Sequence, residues 1–352
     1  MYRSKHNQPL CFPQKFTTRC RNLFSAAIEQ YNSGQYRKAL TLCDSLYLIN
    51  ASHIDNLILL GAIHLQLGNI SESLFYNQQC LKIDHLCPEA YSNIGNGLKE
   101  LGDLDSALNS YREAIRIQPR FADVYCNHAA TQFQQGDYGG AIESFLTAIA
   151  LHPKHVDGFC NLGNAYKAVG RMGDAKKAYL EAIRINPQCA IAWSNLGGIF
   201  EDCKDYDSAK KSYQQALALY PDFSDAYSNL GNTLMKQGLV SSDRTLMQAA
   251  NAKYKKAIQL RPDFAQANGN LTVCYYYEGK QERGFDQAIA LLNRSGKLEI
   301  DNADLLNNIG NMHLEKGNVD CAIKCLMRAI DLKPHHSHAY NNLGNCLLRK
   351  VG

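Results

Sequence analysis

The chain repeats one short motif, in which an aromatic residue is followed by a polar residue, asparagine, an aliphatic residue and glycine. The motif occurs at Tyr91–Gly95, Trp193–Gly197, Tyr227–Gly231 and Tyr340–Gly344. Between the first two copies, Tyr125 and Phe159 take the aromatic position, which therefore falls at 91, 125, 159 and 193, a constant spacing of 34 residues. A constant period of about 20 to 50 residues is the sequence signature of proteins built from stacked structural repeats.

Residues 88–121 show what one repeat contains. Gly95 lies on a first helix, and Ala107 and Tyr111 lie on a second helix that small residues allow to approach the first closely. Pro119 ends the second helix, because proline cannot continue one. The period and these residues resemble the tetratricopeptide repeat. The resemblance implies an all-α solenoid, a right-handed superhelix of antiparallel helix pairs, with about nine full repeats and one terminal helix.

The repeats divide the chain into five parts. They are a basic arm that we expect to be disordered (1–19), two degenerate repeats (20–87), four regular repeats (88–223), two stretched repeats (224–302), and one regular repeat followed by an unfinished one (303–352). The stretched repeats hold about seven extra residues between Gly238 and Ala250 and about four between Gly279 and Ala288. These lengths approach two turns and one turn of helix, so lengthened second helices are predicted, with Ser242 or a neighbour as N-cap. A loop insertion is the alternative.

Composition argues against several classes of function. The net charge is +4 and charged residues make up 20% of the chain, so we expect no nucleic-acid partner. No apolar run is long enough to cross a bilayer, so we expect no membrane partner either. The thirteen cysteines form an odd number without a Cys-x-x-Cys pair, which favours free thiols in the cytoplasm or the nucleus. We predict no metal site and no cofactor.

Asparagine precedes the aliphatic–glycine pair in eight successive repeats, although it is a mediocre helix former. The column consists of Asn93, Asn127, Asn161, Asn195, Asn229, Asn270, Asn308 and Asn342. A second asparagine follows one turn later at Asn96, Asn164, Asn232, Asn311 and Asn345. A primary amide offers two donors and one acceptor, which suits the backbone of an extended peptide. The column is therefore predicted to bind peptide, and the alternative is that the amides satisfy backbone groups between repeats.

Four aspartates stand one turn before asparagines of this column. They are Asp123, Asp157, Asp225 and Asp304, and they are predicted to add negative charge to the same peptide-binding groove. The alternative reading is structural, because a carboxylate at the start of a helix is stabilised by the helix dipole whether or not a ligand is present.

Three stretches carry a closer resemblance to the tetratricopeptide region of the O-linked N-acetylglucosamine (O-GlcNAc) transferase family. They are Glu89–Asn96, Ala178–Arg184 and Ala190–Gly198. The resemblance is strongest over 88–237, and the stretched repeats depart from it. It implies that the inner asparagines hold a substrate polypeptide, that the inner aspartates bias its side chains, and that the convex face carries a homodimer contact. The family's catalytic domain has no counterpart here, since the sequence shows neither strand–helix alternation nor a glycine-rich phosphate loop, and we assign no catalytic residue.

Two functions therefore remain open. The chain is either the substrate- or partner-recognition region of an O-GlcNAc transferase or a free-standing adaptor that tethers proteins through the same groove. A clamp for chaperone tails is disfavoured, because the residues beside the asparagines are small and uncharged where a cation is wanted. Those residues are Ser92, Cys126, Cys160, Ser194 and Ser228.

Overall fold

The computed structural model describes residues 14–277 and 303–351, and the secondary structure in those ranges is entirely α-helical. The helices are α1 (Gln14–Asn32), α2 (Tyr36–Ile49), α3 (Ile54–Gln66), α4 (Ile70–Ile83), α5 (Pro88–Glu100), α6 (Leu104–Ile117), α7 (Ala122–Gln135), α8 (Tyr138–Leu151), α9 (Val156–Ala168), α10 (Met172–Ile185), α11 (Ala190–Asp202), α12 (Tyr206–Leu219), α13 (Ser224–Ser241), α14 (Arg244–Leu260), α15 (Ala265–Tyr277), α16 (Ala303–Glu315), α17 (Val319–Leu332) and α18 (Ser337–Val351). The all-α prediction is confirmed. Helices α1 to α14, together with α16 and α17, form pairs of a first and a second helix.

Several pairs close around a tyrosine for which the facing glycine leaves room. Tyr111 of α6 is fully buried, and a Cβ atom on Gly95 of α5 would lie only 2.6 Å from its ring. The same arrangement joins Gly231 to the buried Tyr254. The hydroxyl of Tyr111 donates to Asn96 Oδ1 at 2.7 Å, so the second asparagine of this repeat anchors the tyrosine. Glycine and tyrosine in these columns therefore set the distance between paired helices.

The described helices fall into two compact units, residues 1–178 and 179–352. Within each unit, successive first helices contact one another, and a series of buried apolar clusters runs from repeat to repeat. We use the term inner face for the side of the first helices that carries the asparagine column. Within a unit, the inner faces of neighbouring repeats lie side by side.

The N-terminal arm is shorter than predicted, because α1 begins at Gln14. Pro13 precedes this helix in the sequence, so no proline interrupts it. Phe24 and Ala27 are buried against α2 and α3, which ties the helix to the first unit. Residues 14–19 therefore belong to the first repeat, and residues 1–13 lie outside the described part of the chain.

The first stretched repeat contains helical insertions, but in both helices. Helix α13 has 18 residues where α11 has 13, and α14 has 17 where α12 has 14. The prediction that the second helix takes the whole insertion is wrong, because α13 continues through Gly238, which is buried and close to Leu246 and Met247. Ser242 ends α13 with a φ of 53°, and its neighbour Asp243 caps α14 by accepting a hydrogen bond from the Thr245 backbone N–H. In the second stretched repeat, Gly279 and Ala288 lie outside the described residues.

In the part of the chain that the structure describes, no helix is both long and apolar enough to span a bilayer. The described cysteines are all free thiols.

Candidate peptide-binding face

The structure places the asparagine column on eight successive first helices, α5, α7, α9, α11, α13, α15, α16 and α18. Seven of these side chains are described, and each is half-buried, partly covered by the neighbouring repeat and partly open to solvent. The side chains of Asn308 and Asp304 lie outside the described residues. The seven amides occupy the same position on their helices but differ in their hydrogen-bond partners.

Three asparagines of the column donate hydrogen bonds from their side-chain amides to the preceding repeat. Asn93 Nδ2 donates to the backbone oxygen of Ile58 at 3.3 Å and to Asn77 Oδ1 at 3.1 Å. Asn270 Nδ2 donates to Asn232 Oδ1 at 2.7 Å. Asn342 Nδ2 donates to Asn307 Oδ1 at 2.9 Å. These contacts favour a structural role at these three positions, because each amide connects one repeat to the preceding one through a hydrogen bond.

A second group of asparagines keeps its side-chain amides unbonded. Across residues 14–277 and 303–351, the side chains of Asn127, Asn161 and Asn229 have no hydrogen-bond partner in the protein. Asn195 differs from them, since it has an interaction partner within the chain. Asn127 and Asn161 lie on α7 and α9, the first helices of consecutive repeats in the same unit. Two adjacent primary amides are thus available to an external ligand.

The aspartates also separate into two kinds. Asp123 Oδ1 lies 3.4 Å from His155 Nε2, and Asp225 Oδ1 accepts a hydrogen bond from Arg261 Nη2 at 2.9 Å. Asp157 is exposed and pairs with no residue that the structure describes. All three stand in the first turn of their helices, as the helix-dipole reading requires. Asp157 is the carboxylate of this set that a ligand could engage without displacing a protein group.

His155 connects two neighbouring first helices. Its Nδ1 accepts the backbone N–H of Gly158 at 2.9 Å and caps α9, while its Nε2 faces Asp123 on α7. The hydrogen bond with His155 lowers the pKa of Asp123, and the hydrogen bond with the same carboxylate acts to raise the pKa of His155. The capping bond opposes that rise, because Nδ1 can accept only while it carries a lone pair. We therefore assign a neutral ring with its proton on Nε2.

The residues that accept hydrogen bonds from the asparagine column were not identified from the sequence. Asn77 stands 34 positions before Tyr111 and so occupies the tyrosine column, which was a usable signal that it bonds across the helix pair. Side-chain hydrogen bonds between residues 30 positions apart could also have been found from the sequence. Gln135 donates to Asp105 at 2.7 Å, and Lys350 donates to Asp320 at 2.6 Å.

Comparison with known families supports this architecture. A model described as TPR repeat matches residues 95–136, 131–170 and 199–238, and models described as tetratricopeptide repeat match 156–189 and 303–336. The chain carries tetratricopeptide repeats. The helix pairs in these residues are therefore those of tetratricopeptide repeats.

Similarity to individual proteins is narrower. The chain is 36% identical over 74 residues to the UDP-N-acetylglucosamine–peptide N-acetylglucosaminyltransferase of Caenorhabditis elegans, and equally so to the probable transferase SEC of Arabidopsis thaliana. Each match covers 21% of this chain but only 6% and 8% of those proteins. A solved structure titled human IFIT1 dimer with PPP-AAAA superposes with a TM-score of 0.63 at 16% identity, over 92% of this chain and 80% of that one. At that identity the likeness concerns the fold alone.

Proposed function

We propose that the chain binds extended polypeptide along its inner face and serves as the substrate- or partner-recognition region of a protein O-GlcNAc transferase. The observation that carries the proposal is the pair of unbonded amides at Asn127 and Asn161 on consecutive first helices. The similarity to two transferases supports the second half of the proposal. The asparagines that bond within the protein, such as Asn93, hold the face in shape and take no part in binding.

The spacing of the face suits an extended chain. Packed helices lie about 8 to 10 Å apart, and an extended peptide advances about 3.3 to 3.6 Å per residue. Each repeat therefore spans about three ligand residues, so that Asn127 and Asn161 meet backbone groups in the same register. An amide that donates to a carbonyl and accepts from an N–H contacts the peptide backbone alone, which allows many sequences to bind. The exposed carboxylate of Asp157 adds a preference for a cationic side chain beside this contact.

A double variant, Asn127→Ala with Asn161→Ala, tests the proposal. It removes the two free amides, and because each hydrogen bond contributes about 0.5–1.5 kcal/mol, the affinity for peptide should fall about tenfold or more. The free energy of unfolding should hold or rise slightly, since alanine is the better helix former. The measurement is fluorescence anisotropy with a labelled, uncharged peptide of serine, threonine and alanine.

Asn93→Ala is the matched control. It breaks two internal bonds and leaves the buried Asn77 without its donor, so it should lower the free energy of unfolding by about 1–3 kcal/mol. Its affinity for the peptide should stay at the wild-type value. Wild-type affinity in the folded double variant would overturn the proposed role of the inner face.

A free-standing adaptor is the second candidate, because the match to the transferases is confined to 74 residues. The native mass separates the two candidates. An antibody raised against residues 88–223 should detect a nuclear or cytoplasmic protein far larger than 39.3 kDa if the repeats serve a transferase. A native product of 39.3 kDa would instead support the adaptor.

A further inference from the structure

Both carboxylate oxygens of Asp225 are engaged by the protein itself. Oδ1 accepts the 2.9 Å hydrogen bond from Arg261 Nη2, and Oδ2 accepts a hydrogen bond from the hydroxyl of Ser224 at 3.3 Å. Asp225 stands one turn before Asn229, the unbonded amide of this repeat, so the two share the inner face of α13. The negative charge of Asp225, beside Asn229, is therefore already paired with a positive charge of the protein in the absence of a ligand.

A second contact, with Phe264, holds the Arg261 side chain in place. Its guanidinium lies over the ring of Phe264 with 3.6 Å between the guanidinium carbon and the ring centroid. Stacking on an aromatic face fixes the plane of the guanidinium and stabilises its charge. The Nε–H of Arg261 is buried, but the side chain as a whole is 41% exposed, so part of it is within reach of solvent and of a bound chain.

Among the described second helices, two are followed by a residue with a fixed positive charge at the C-cap, Arg261 after α14 and Lys333 after α17. Arg261 caps the C-terminus of the second helix α14, and the residues at the matching position of the first unit are Asn50, Asp84, Gln118 and His152. None of those four carries a fixed positive charge. The residue that follows the second helix in the repeat of Asp157 is Asn186, and Asp157 has no counter-ion among the described residues, whereas Asp225 has one.

We propose that Arg261 determines the charge preference of the inner face over α13, by pairing with Asp225 so that neutral or acidic ligand side chains are accepted beside Asn229 and cationic ones are not. The inference rests on the proposed peptide-binding function. A salt bridge in this half-exposed setting has a modest strength, so its effect on selectivity should be severalfold and should weaken as salt is added.

Three fluorescent peptides on one neutral serine–threonine–alanine framework provide the test. One is uncharged, one carries lysine at every third position, and one carries glutamate at every third position, to match about three ligand residues per repeat. Affinities are measured by anisotropy at low salt with the full chain. Arg261→Gln leaves Asp225 without its cation, so it should tighten the lysine peptide about threefold and weaken the glutamate peptide by a similar factor. Asp225→Asn should produce the opposite pair of changes.

The double variant Arg261→Gln with Asp225→Asn is the control, since it removes both charges and should return the preference between the two charged peptides to near the wild-type value. A purely structural role for the pair would weaken all three peptides by the same factor in each variant. That result, or unchanged ratios between lysine and glutamate peptides, overturns the assignment of Arg261. If the wild-type chain fails to bind even the uncharged peptide, the proposed function falls and this inference falls with it.

Discussion

At the scale of single residues, the asparagine column is uniform in sequence, but its side chains differ in whether they form hydrogen bonds within the protein. Asn93 and Asn342 find acceptors 16 and 35 positions earlier, while Asn127 and Asn161 find none among the described residues. The column itself could be found from the period alone. This difference could be predicted only in part: Asn77 in the tyrosine column was a usable signal, but the other bonds depend on which side chain the preceding repeat presents after packing. In our proposal, peptide binding is therefore assigned to the positions where that neighbouring acceptor is absent.

Lys204 occupies a turn position that glycine holds in other repeats. It adopts a φ of 61° at the turn position where six other repeats use glycine with φ between 75° and 91°. The left-handed region costs a non-glycine residue about 1–2 kcal/mol, and the greater freedom of unfolded glycine offsets part of that gain. Lys204→Gly should therefore raise the free energy of unfolding by about 0.5–1 kcal/mol, measured by urea titration.

Gly102→Lys is the reverse control for Lys204, with a φ of 82° and open space around its Cβ position. It should lower the free energy of unfolding by about the same amount, because backbone strain is the main change. Equal stability of the wild type and Lys204→Gly would show that the turn tolerates lysine without strain.

At the scale of helices, the sequence predicted the pairs well, because glycine, alanine and a large aromatic or aliphatic residue recur at the positions where paired helices pack. The prediction for the first stretched repeat was only partly right. Gly238 falls in the column of turn glycines, yet it lies inside α13 and contacts Leu246 and Met247. Glycine is compatible with both a turn and a close helix contact, so its place in the column could not decide between them.

The glycine column gives two opposite predictions for the same substitution. A Cβ on Gly95 would lie 2.6 Å from the fully buried Tyr111 ring, so Gly95→Ala should cost about 1–3 kcal/mol of stability. Gly344 occupies the same column on α18 and has nothing within 4 Å, so Gly344→Ala should add about 0.5–1 kcal/mol through better helix propensity. Urea titration followed by circular dichroism measures both. A shift of the same sign in the two variants would contradict the packing described for the column.

At the scale of the whole molecule, sequence reasoning recovered the helix pairs because each repeat contacts mainly its neighbours, so a local pattern determines local structure. The electrostatics of the inner face were harder to foresee. Asp123, Asp157 and Asp225 look equivalent in sequence, but His155 and Arg261 engage the first and the last. Each of these two partners lies more than 30 positions away, at a junction where no repeat consensus specifies the residue.

Photo-crosslinking tests the central claim most directly. The uncharged peptide, carrying one benzophenone side chain, is irradiated with the full chain, and the attachment sites are mapped by mass spectrometry with unlabelled peptide as competitor. The account predicts competed crosslinks on the first helices α7, α9 and α13, near Asn127, Asn161 and Asn229. Competed crosslinks confined to the second helices α6, α8 and α12 would show that peptide binds elsewhere and would contradict it.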